Sequence, residues 1–297
     1  MKRVADIVKL AYAHDNGYYG QGVTVAVVDS GIMHHEALGR AGSDRFVSAV
    51  DMVNGINKFY DDLGHGTHVA GIIGGHTPGF KGMAPECKFV SVKVLDRRGG
   101  GKLESVMEGL RWIEANAAVY NIRIVNISVG TPSMRSYDED SALVRMVDRL
   151  WNRGLIVLAA AGNNGPARSS IGAPGISRRI ITVGASDDDA GIRGRGMMRY
   201  YSGRGPTDSC IKKPDVVAPG SNILSCGNNN RGNNYIYKSG TSMSTPVVSG
   251  AVALLLSKYP EMTNREVKIR IKNSAVDLGY PHERQGWGLL NVERLLK

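Results

Sequence analysis

Cysteine, acidic residues and long apolar runs are all scarce in this sequence. The chain of 297 residues contains three cysteines, Cys87, Cys210 and Cys226, which stand far apart and cannot all pair with one another. Cysteines this sparse favour reduced thiols, and therefore a reducing compartment or a trimmed chain. No uninterrupted apolar stretch reaches the roughly 18 residues of a membrane span, and no apolar segment follows Met1-Lys2-Arg3 as it would in a secretory signal. We therefore expect no membrane span and a cytoplasmic location.

Acidic residues are outnumbered, 27 against 37 basic ones, and the formal net charge is +10. The basic residues cluster in segment 193–199 and at Lys212-Lys213. A nucleic-acid site would interleave such clusters with aromatic side chains, but only Tyr200 and Tyr201 lie nearby. We interpret the clusters as solvated surface loops and expect no nucleic-acid partner. The charge could still attract acidic substrates or anionic surfaces.

Short apolar runs alternate with segments of helical spacing along the chain. Strands are predicted at 23–28, 89–94, 122–127, 155–160 and 180–183, and helices at 103–113 and 142–150. A capping box at Thr263 and Glu266 begins a further helix that runs to about Ser274. This alternation predicts an α/β fold with a doubly wound, mostly parallel sheet and helices on both faces. We expect a single domain that spans residues 1–297.

Ser242 stands where small residues give way to the apolar run 247–256. The length of that run favours a buried helix, which places Ser242 at a helix N-terminus. Unpaired N–H groups and the positive end of the helix dipole favour developing negative charge there. A serine in this position could be a nucleophile if a histidine and a carboxylate activate it. On its own it would be an ordinary N-cap.

His65 and Asp29 are the candidate partners of this serine. Asp29 ends the first predicted strand and His65 begins a predicted short helix, so both can face the crevice beyond the carboxyl ends of the strands. A buried Asp that accepts from a histidine N–H fixes the tautomer and stabilises the imidazolium. One alternative is that Asp29 forms only a turn. A separate alternative is that His65 binds a metal with His68, although no third ligand accompanies them at a recognisable spacing. We interpret His34 and His35 as surface loop residues.

Asn163 follows another predicted strand, within Ala161-Gly162-Asn163-Asn164-Gly165. The small residues allow close backbone approach, so the Asn163 side chain can present an NH₂ donor to the crevice. Acyl transfer needs such a donor where the oxyanion forms, together with the backbone N–H of Ser242. An Asn-Asn-Gly sequence is also a common turn.

In this order, these stretches resemble the subtilisin-like serine proteases, whose catalytic residues are known to follow the order Asp, His, Ser. The resemblance runs from about Val4 to the C-terminus. The matching segments are Asp29-Ser30-Gly31, His65-Gly66-Thr67-His68-Val69-Ala70-Gly71, Ala161-Gly162-Asn163 and Gly240-Thr241-Ser242-Met243-Ser244-Thr245-Pro246, with further matches at 82–85, 201–206, 213–220 and 286–288.

The resemblance implies that Asp29, His65 and Ser242 form the triad and Asn163 the oxyanion donor of a serine endopeptidase acting on polypeptides. A narrower alternative is a dedicated processing protease for one leader peptide or zymogen. An alternative from another class is a catalytically silent regulator that binds peptides.

The resemblance also implies where a substrate lies. Ser128-Val129-Gly130 and Gly99-Gly100-Gly101 would be two backbone edges between which an extended peptide adds as a strand. Gly172 would form the floor of the pocket for the residue before the cut, where a glycine leaves room for a large side chain.

The chain departs from the family's secreted members at its N-terminus. Those members carry an inhibitory chaperone domain ahead of the protease, whereas this sequence begins almost where the mature protease does. We expect a protein that folds unaided in the cytoplasm. The alternative is the mature form of a protein made with a pro-domain, and then a pro-domain or an inhibitor is a possible partner.

A second departure concerns calcium. The family's strong calcium loop is Asn-rich, whereas the corresponding segment 72–82 is shorter and contains neither Asn nor Asp. Calcium prefers oxygen ligands, and acidic ones raise the affinity. We expect no required cofactor, with calcium possible at a degraded loop. Asp187, Asp188 and Asp189 are interpreted as an acidic surface turn, and a weaker ion site is the alternative.

Overall fold

A computed structural model of the chain describes residues 1–39, 42–130, 140–189, 200–229 and 233–297. The basic segment 193–199 lies outside these residues. The strands are β1 (Thr24–Asp29), β2 (Phe46–Asp51), β3 (His76–Thr77), β4 (Phe80–Lys81), β5 (Lys88–Lys93), β6 (Ile122–Ile127), β7 (Ile156–Ala160), β8 (Ile181–Ala185), β9 (Val216–Ala218), β10 (Ile223–Cys226) and β11 (Tyr235–Lys238). The helices are α1 (Lys2–Val8), α2 (Ala11–Asp15), α3 (His65–Gly74), α4 (Leu103–Asn116), α5 (Ala142–Asn152), α6 (Thr241–Lys258), α7 (Asn264–Ser274), α8 (His282–Gln285) and α9 (Val292–Leu296).

The central sheet has seven strands in the order β2-β5-β1-β6-β7-β8-β9. Every neighbouring pair in it is parallel. The chain adds strands on one side of β1 and then crosses to β6 on the other side, so the strand order switches between β1 and β6. Crevices for ligands form at such switch points, beyond the carboxyl ends of the strands.

Helices cover both faces of this sheet, which confirms the predicted doubly wound α/β fold. Helices α4 and α5 pack against each other, and α6 packs against α3 and against strands β6 to β9. Every residue of α6 from Met243 to Leu256 is buried. A helix that is apolar on all sides has to lie inside the molecule, so the run that marked this helix in the sequence is explained by its central position.

The predicted strands agree with the observed ones to within two residues at each end. Strand β1 is buried along its whole length, which explains its continuous apolar sequence. Strands β2 and β9, at the two edges of the central sheet, were not predicted from the sequence. The first four residues of β2 are half-buried at the edge of the sheet, and β9 has three residues, so neither forms a recognisable apolar run. The capping box at Thr263 and Glu266 is confirmed at the start of α7.

The interpretation of Lys213 as a solvated residue was wrong. Its side chain is 1% exposed, and its Nζ donates to the carbonyl oxygen of Ile180 at 3.0 Å, to Thr182 Oγ1 at 2.9 Å and to Asp215 Oδ2 at 2.6 Å. Burial lowers the pKa of Lys213 to about 8, although the neighbouring Asp215 acts to raise it. A buried ammonium group is tolerated because all these partners compensate its lost hydration.

Three other polar residues that we expected at the surface are buried or half-buried. His35 is buried, and its Nε2 lies 2.8 Å from the carbonyl oxygen of Asn234, while His34 is half-buried against the ring of Phe46. Asp188 is buried with its carboxylate facing the guanidinium groups of Arg204 and Arg284, at 3.6 and 3.4 Å. Its partners are distant in sequence, so local composition gave no sign of its burial.

None of the helices in the described part of the chain is long and apolar enough to cross a bilayer.

Candidate active site

The predicted catalytic residues converge on the switch point of the sheet. Asp29 is the last residue of β1, and Ser128 directly follows β6, its neighbour. Ser242 lies in the first turn of α6 and reaches the same edge, because its Oγ is 2.8 Å from the carbonyl oxygen of Ser128. Two strand ends and one helix N-terminus therefore meet at this edge.

Asp29 and His65 form a direct pair. The Nδ1 of His65 lies 2.8 Å from Oδ1 and 2.9 Å from Oδ2 of Asp29. Asp29 is fully buried, whereas the His65 side chain is 22% exposed. With Nδ1–H donated to the carboxylate, Nε2 of the neutral ring is left as the proton acceptor.

A glycine beside His65 permits this contact. A Cβ at Gly66 would lie 2.1 Å from the carbonyl oxygen of Gly31 and 3.1 Å from the Cβ of Asp29. Any larger residue would push helix α3 away from the end of β1. Gly66 is thus required for the close approach that brings the imidazole to the carboxylate.

The surrounding charges favour the protonated form of His65. Burial acts to lower the pKa of His65, but the charge of Asp29 and its hydrogen bond outweigh that effect, so the pKa is raised above its ordinary value of 6.5. Among the weaker influences, Lys238 lowers the pKa and Asp61 raises it. A histidine in this environment holds a proton more readily than a free imidazole. This property suits a general base, which keeps the abstracted proton until it is passed to the leaving group.

Ser242 is half-buried, and its hydroxyl donates to the carbonyl oxygen of Ser128. Within the described residues, no hydrogen bond joins Ser242 Oγ to His65. Catalytic hydrogen bonds are often made only in the complex with substrate, so this arrangement is compatible with a nucleophile at rest.

Asn163 is exposed, and one end of its amide is anchored. Its Oδ1 accepts from the backbone N–H of Thr241 at 2.9 Å and lies 3.2 Å from Thr241 Oγ1. The Nδ2 group therefore points away from these donors. Gly240 makes room for it, since a Cβ there would lie 3.2 Å from Nδ2, and the φ of +146° suits glycine.

The two predicted substrate edges differ in exposure. Gly99-Gly100-Gly101 is exposed, and Asp96 holds the turn before it by accepting from the N–H groups of Arg98 and Gly100 at 2.8 and 2.9 Å. In the other edge, Ser128 is buried, Val129 is half-buried and Gly130 is exposed. Gly99-Gly100-Gly101 and Gly130 have no side chains to cover the backbone, so an extended peptide can approach the chain at these positions.

Gly172 lies close to the second edge and to the Asn163 turn. Its N–H donates to the carbonyl oxygen of Ala161 at 2.9 Å, and a Cβ at Gly130 would lie 3.7 Å from the carbonyl oxygen of the adjacent Ala173. Gly172 is itself buried. This position is compatible with its predicted place at the floor of a side-chain pocket.

Asp61 is a member of the site that our sequence reasoning missed. Its Oδ1 accepts from Ser30 Oγ at 2.8 Å and from Gly64 N–H at 2.7 Å, and its Oδ2 accepts from the N–H and hydroxyl groups of Thr67 at 2.8 and 2.7 Å. Ser30 Oγ in turn accepts from the N–H of Gly66 at 3.0 Å.

Asp61 and Ser30 therefore satisfy unpaired N–H groups at the start of α3 and tie that helix to the end of β1. The contact to Gly64, three residues along the chain, is a turn that an Asp at this spacing often forms, and this was the available signal. The link to Ser30 spans 31 residues and could not be read from the sequence.

The alternative metal pair of His65 and His68 is not supported. His68 is buried, and its Nε2 lies 3.1 Å from the carbonyl oxygens of both Ile223 and Ile236. Burial lowers the pKa of His68 to about 3, so its ring is neutral and committed to these carbonyls. Across the described ranges, no group of three His, Cys, Asp or Glu side chains is arranged to hold a metal ion.

Comparisons with known proteins agree with this geometry. Residues 20–288 match the model of the subtilase family of peptidases. The serine protease AprX of Bacillus subtilis (strain 168) is 40% identical over 274 residues, which cover 86% of this chain and 61% of AprX. A thermostable alkaline protease of Halalkalibacterium halodurans is 37% identical over 284 residues, which cover 95% of this chain and 70% of that protein.

A solved structure is similar as well. The crystal structure of a cold adapted subtilisin-like serine proteinase superimposes with a TM-score of 0.75 and 30% sequence identity, over 93% of this chain and 90% of that one. The chain thus spans most of that structure but less than two thirds of AprX, with 61% covered.

Proposed function

Because the chain belongs to the subtilase family of serine proteases, we propose that it is an endopeptidase in which Asp29, His65 and Ser242 form the catalytic triad and Asn163 completes the oxyanion hole. The observation that carries this proposal is the contact of both Asp29 carboxylate oxygens with His65 Nδ1, at 2.8 and 2.9 Å, beside a serine at a helix N-terminus.

In the proposed reaction, Ser242 Oγ attacks the carbonyl carbon of the scissile peptide while its proton passes to His65 Nε2. Asp29 stabilises the resulting imidazolium. The tetrahedral oxyanion accepts hydrogen bonds from the Ser242 N–H and from Asn163 Nδ2. His65 then gives its proton to the leaving amine as the C–N bond breaks, and water hydrolyses the acyl-enzyme by the same route.

Substrate would bind as an added strand between Gly99-Gly100-Gly101 and Ser128-Val129-Gly130. Backbone hydrogen bonds along such edges give affinity with little sequence selectivity. Gly172 would leave room for a large side chain before the cut. We therefore propose a broad polypeptide substrate class.

A fluorophosphonate probe followed by peptide mass spectrometry tests this assignment. We expect one adduct, on Ser242, and none after the protein is unfolded, because the hydroxyl is activated only in the folded site. An adduct on another serine, or no adduct on the folded protein, would refute the assignment.

A dedicated processing protease for one leader peptide or zymogen is the second candidate within the same chemistry. Digestion of casein and of a proteome-derived peptide library separates the two: a broad enzyme cuts both at many positions, and a dedicated one leaves casein intact. A silent peptide-binding regulator would bind the library and cut neither.

We further propose that the protein works in the cytoplasm without an obligatory cofactor. The cysteines support this location, since Cys87 and Cys226 are buried free thiols. A pro-domain or an inhibitor is a proposed partner for restraining activity. Fractionation of cells followed by probe labelling in each fraction would show where the active protein resides.

A further inference from the structure

The guanidinium group of Arg45 lies inside a cage of backbone carbonyl groups. The residue is 8% exposed. Its Nε donates to the carbonyl oxygen of Cys87 at 3.0 Å, its Nη1 to that of Leu38 at 3.3 Å and its Nη2 to that of Gly74 at 2.6 Å. These carbonyls belong to three separate segments, namely the loop after β1, the end of α3 and the residue before β5.

Further contacts fix the side chain in this position. Nη1 lies 2.8 Å from His76 Nδ1, and the guanidinium group lies 5.3 Å from the ring centroid of Phe89. A Cβ at Gly74 would lie 2.7 Å from Nη2, so the end of α3 approaches the guanidinium as closely as a residue without a side chain allows. The site is therefore built around this cation.

The segment that follows, 75–82, contains the β3–β4 hairpin and lies within 72–82, the segment that corresponds to the calcium loop of the resembled family. Calcium requires six to eight oxygen ligands, and acidic side chains raise the affinity. Here the carbonyl oxygen of Gly74, at the base of the hairpin, already accepts from the positively charged guanidinium group, as do those of Leu38 and Cys87. A divalent ion beside it would be repelled, and no carboxylate of the described residues contacts this cage. The residues present do not fit calcium.

We propose that Arg45 is the internal cation of this hairpin and holds it in place without a bound metal ion. A guanidinium group is suited to this task because its donors lie in a fixed planar fork, and it keeps its charge at any physiological pH. The end of α3, the hairpin and the start of β5 are then joined by a covalently attached group that cannot dissociate.

The first test uses the unaltered cage. The full chain, carrying Ser242→Ala to prevent self-digestion, is treated with EGTA or with calcium chloride, and hydrogen exchange is measured at the amides of 74–82. We expect exchange at these amides to be the same in both conditions, and a melting temperature that differs by no more than about 1 °C. Faster exchange of 74–82 in EGTA, reversed by calcium, would overturn the proposal.

The second test removes the cation. Arg45→Met keeps much of the volume but has no donors, and it leaves buried carbonyl groups unpaired. We expect the melting temperature to fall by on the order of 10 °C and exchange at 74–82 to accelerate. Arg45→Lys keeps the charge but lacks the planar fork. Its melting temperature and its exchange rate at 74–82 should lie between those of the unaltered protein and Arg45→Met.

Arg123→Met is the matched control, because the Arg123 guanidinium also donates to backbone carbonyls, those of Pro260 and Met262, at 2.6 and 3.0 Å. It should leave exchange at 74–82 unchanged. Normal exchange of 74–82 in Arg45→Met would refute the proposal. If Arg45→Met does not fold, the chelation experiment on the unaltered cage decides alone.

Discussion

The hydroxyl group of Ser242 donates to the carbonyl oxygen of Ser128, 2.8 Å away. That carbonyl belongs to a predicted substrate edge, where an incoming peptide strand would place its own N–H donors. A peptide that takes this acceptor would release the serine hydroxyl towards His65. In this arrangement, substrate binding itself would move the nucleophile into its reactive position.

Replacing the nucleophile gives the first prediction. Ser242→Ala should lower kcat for casein-derived peptides by about 10⁶, the size known for the equivalent change in subtilisin. The fold should persist, because alanine fits the same small space. Ser257→Ala is the control, since Ser257 lies at the far end of α6 and also donates to a backbone carbonyl. Equal activity of the two variants would show that Ser242 is not the nucleophile.

The second prediction concerns the anchored amide of Asn163. Asn163→Ala should lower kcat by about 10²–10³ with little change in KM, the magnitude being that known for the oxyanion donor of subtilisin. Asn163→Asp keeps the acceptor for Thr241 but loses the NH₂ donor, so it should be at least as damaging. A change confined to KM would mean that Asn163 binds substrate and does not stabilise the oxyanion.

The third prediction follows from the raised pKa of His65. The neutral ring accepts the serine proton, so kcat/KM should fall about tenfold per pH unit below that pKa, which lies above 6.5. Asp29→Asn removes the charge that stabilises the imidazolium. The acid limb of this variant, which is the pH range where its remaining activity falls, should therefore lie at lower pH. If the acid limb of the pH profile stays at the same pH, the charge of Asp29 does not set the pKa of His65 during catalysis.

The fourth prediction tests Asp61, which positions His65 through Ser30 and the start of α3. Asp61→Asn loses the negative charge and part of the hydrogen bonding, and we expect kcat/KM to fall by on the order of 10–100-fold because the imidazole is displaced. The acid limb should also move to lower pH, since Asp61 raises the pKa of His65.

Asp62→Asn is the matched control for that experiment, because the Asp62 carboxylate pairs with Lys93 at 2.6 Å and not with the start of α3. It should leave the pH profile unchanged. If Asp61→Asn loses activity but its acid limb does not move, Asp61 stabilises the fold and does not act on the pKa of His65.

The fifth prediction concerns the thiols. Burial raises the pKa of Cys87 to about 11 and that of Cys226 to about 12, whereas Cys210 is exposed. N-ethylmaleimide should add once to the folded protein, at Cys210, and three times after unfolding, as counted by intact mass. Fewer than three adducts on the unfolded, unreduced chain would reveal a disulfide and argue against a reducing compartment.

Much of the fold could be predicted because burial leaves a local trace in the sequence. Strand β1 and helix α6 are surrounded by other elements, so their residues are apolar almost without interruption. Strand β2 lacks this trace because its first four residues are only half-buried, at the edge of the sheet. The subtilase resemblance was confirmed by the family match over residues 20–288.

The polar residues of the interior could not be predicted in the same way. Lys213, His35 and Asp188 all contact partners from distant parts of the chain. Lys213 also contacts the nearby Asp215, but a Lys and an Asp two residues apart do not by themselves mark burial. Asp61 was missed for the same reason, because its role depends on Ser30. The assignments of Asp29, His65, Ser242 and Asn163 remain predictions, which the variants above will test.

Helix α6 is enclosed on every side, and it carries Ser242 in its first turn. The Ser242 hydroxyl is fixed to the centre of the molecule, so melting of a peripheral loop cannot displace it. Inactivation by heat should therefore coincide with cooperative unfolding of the sheet and its helices. In a heated sample, the remaining activity should therefore be proportional to the fraction of molecules that are still folded.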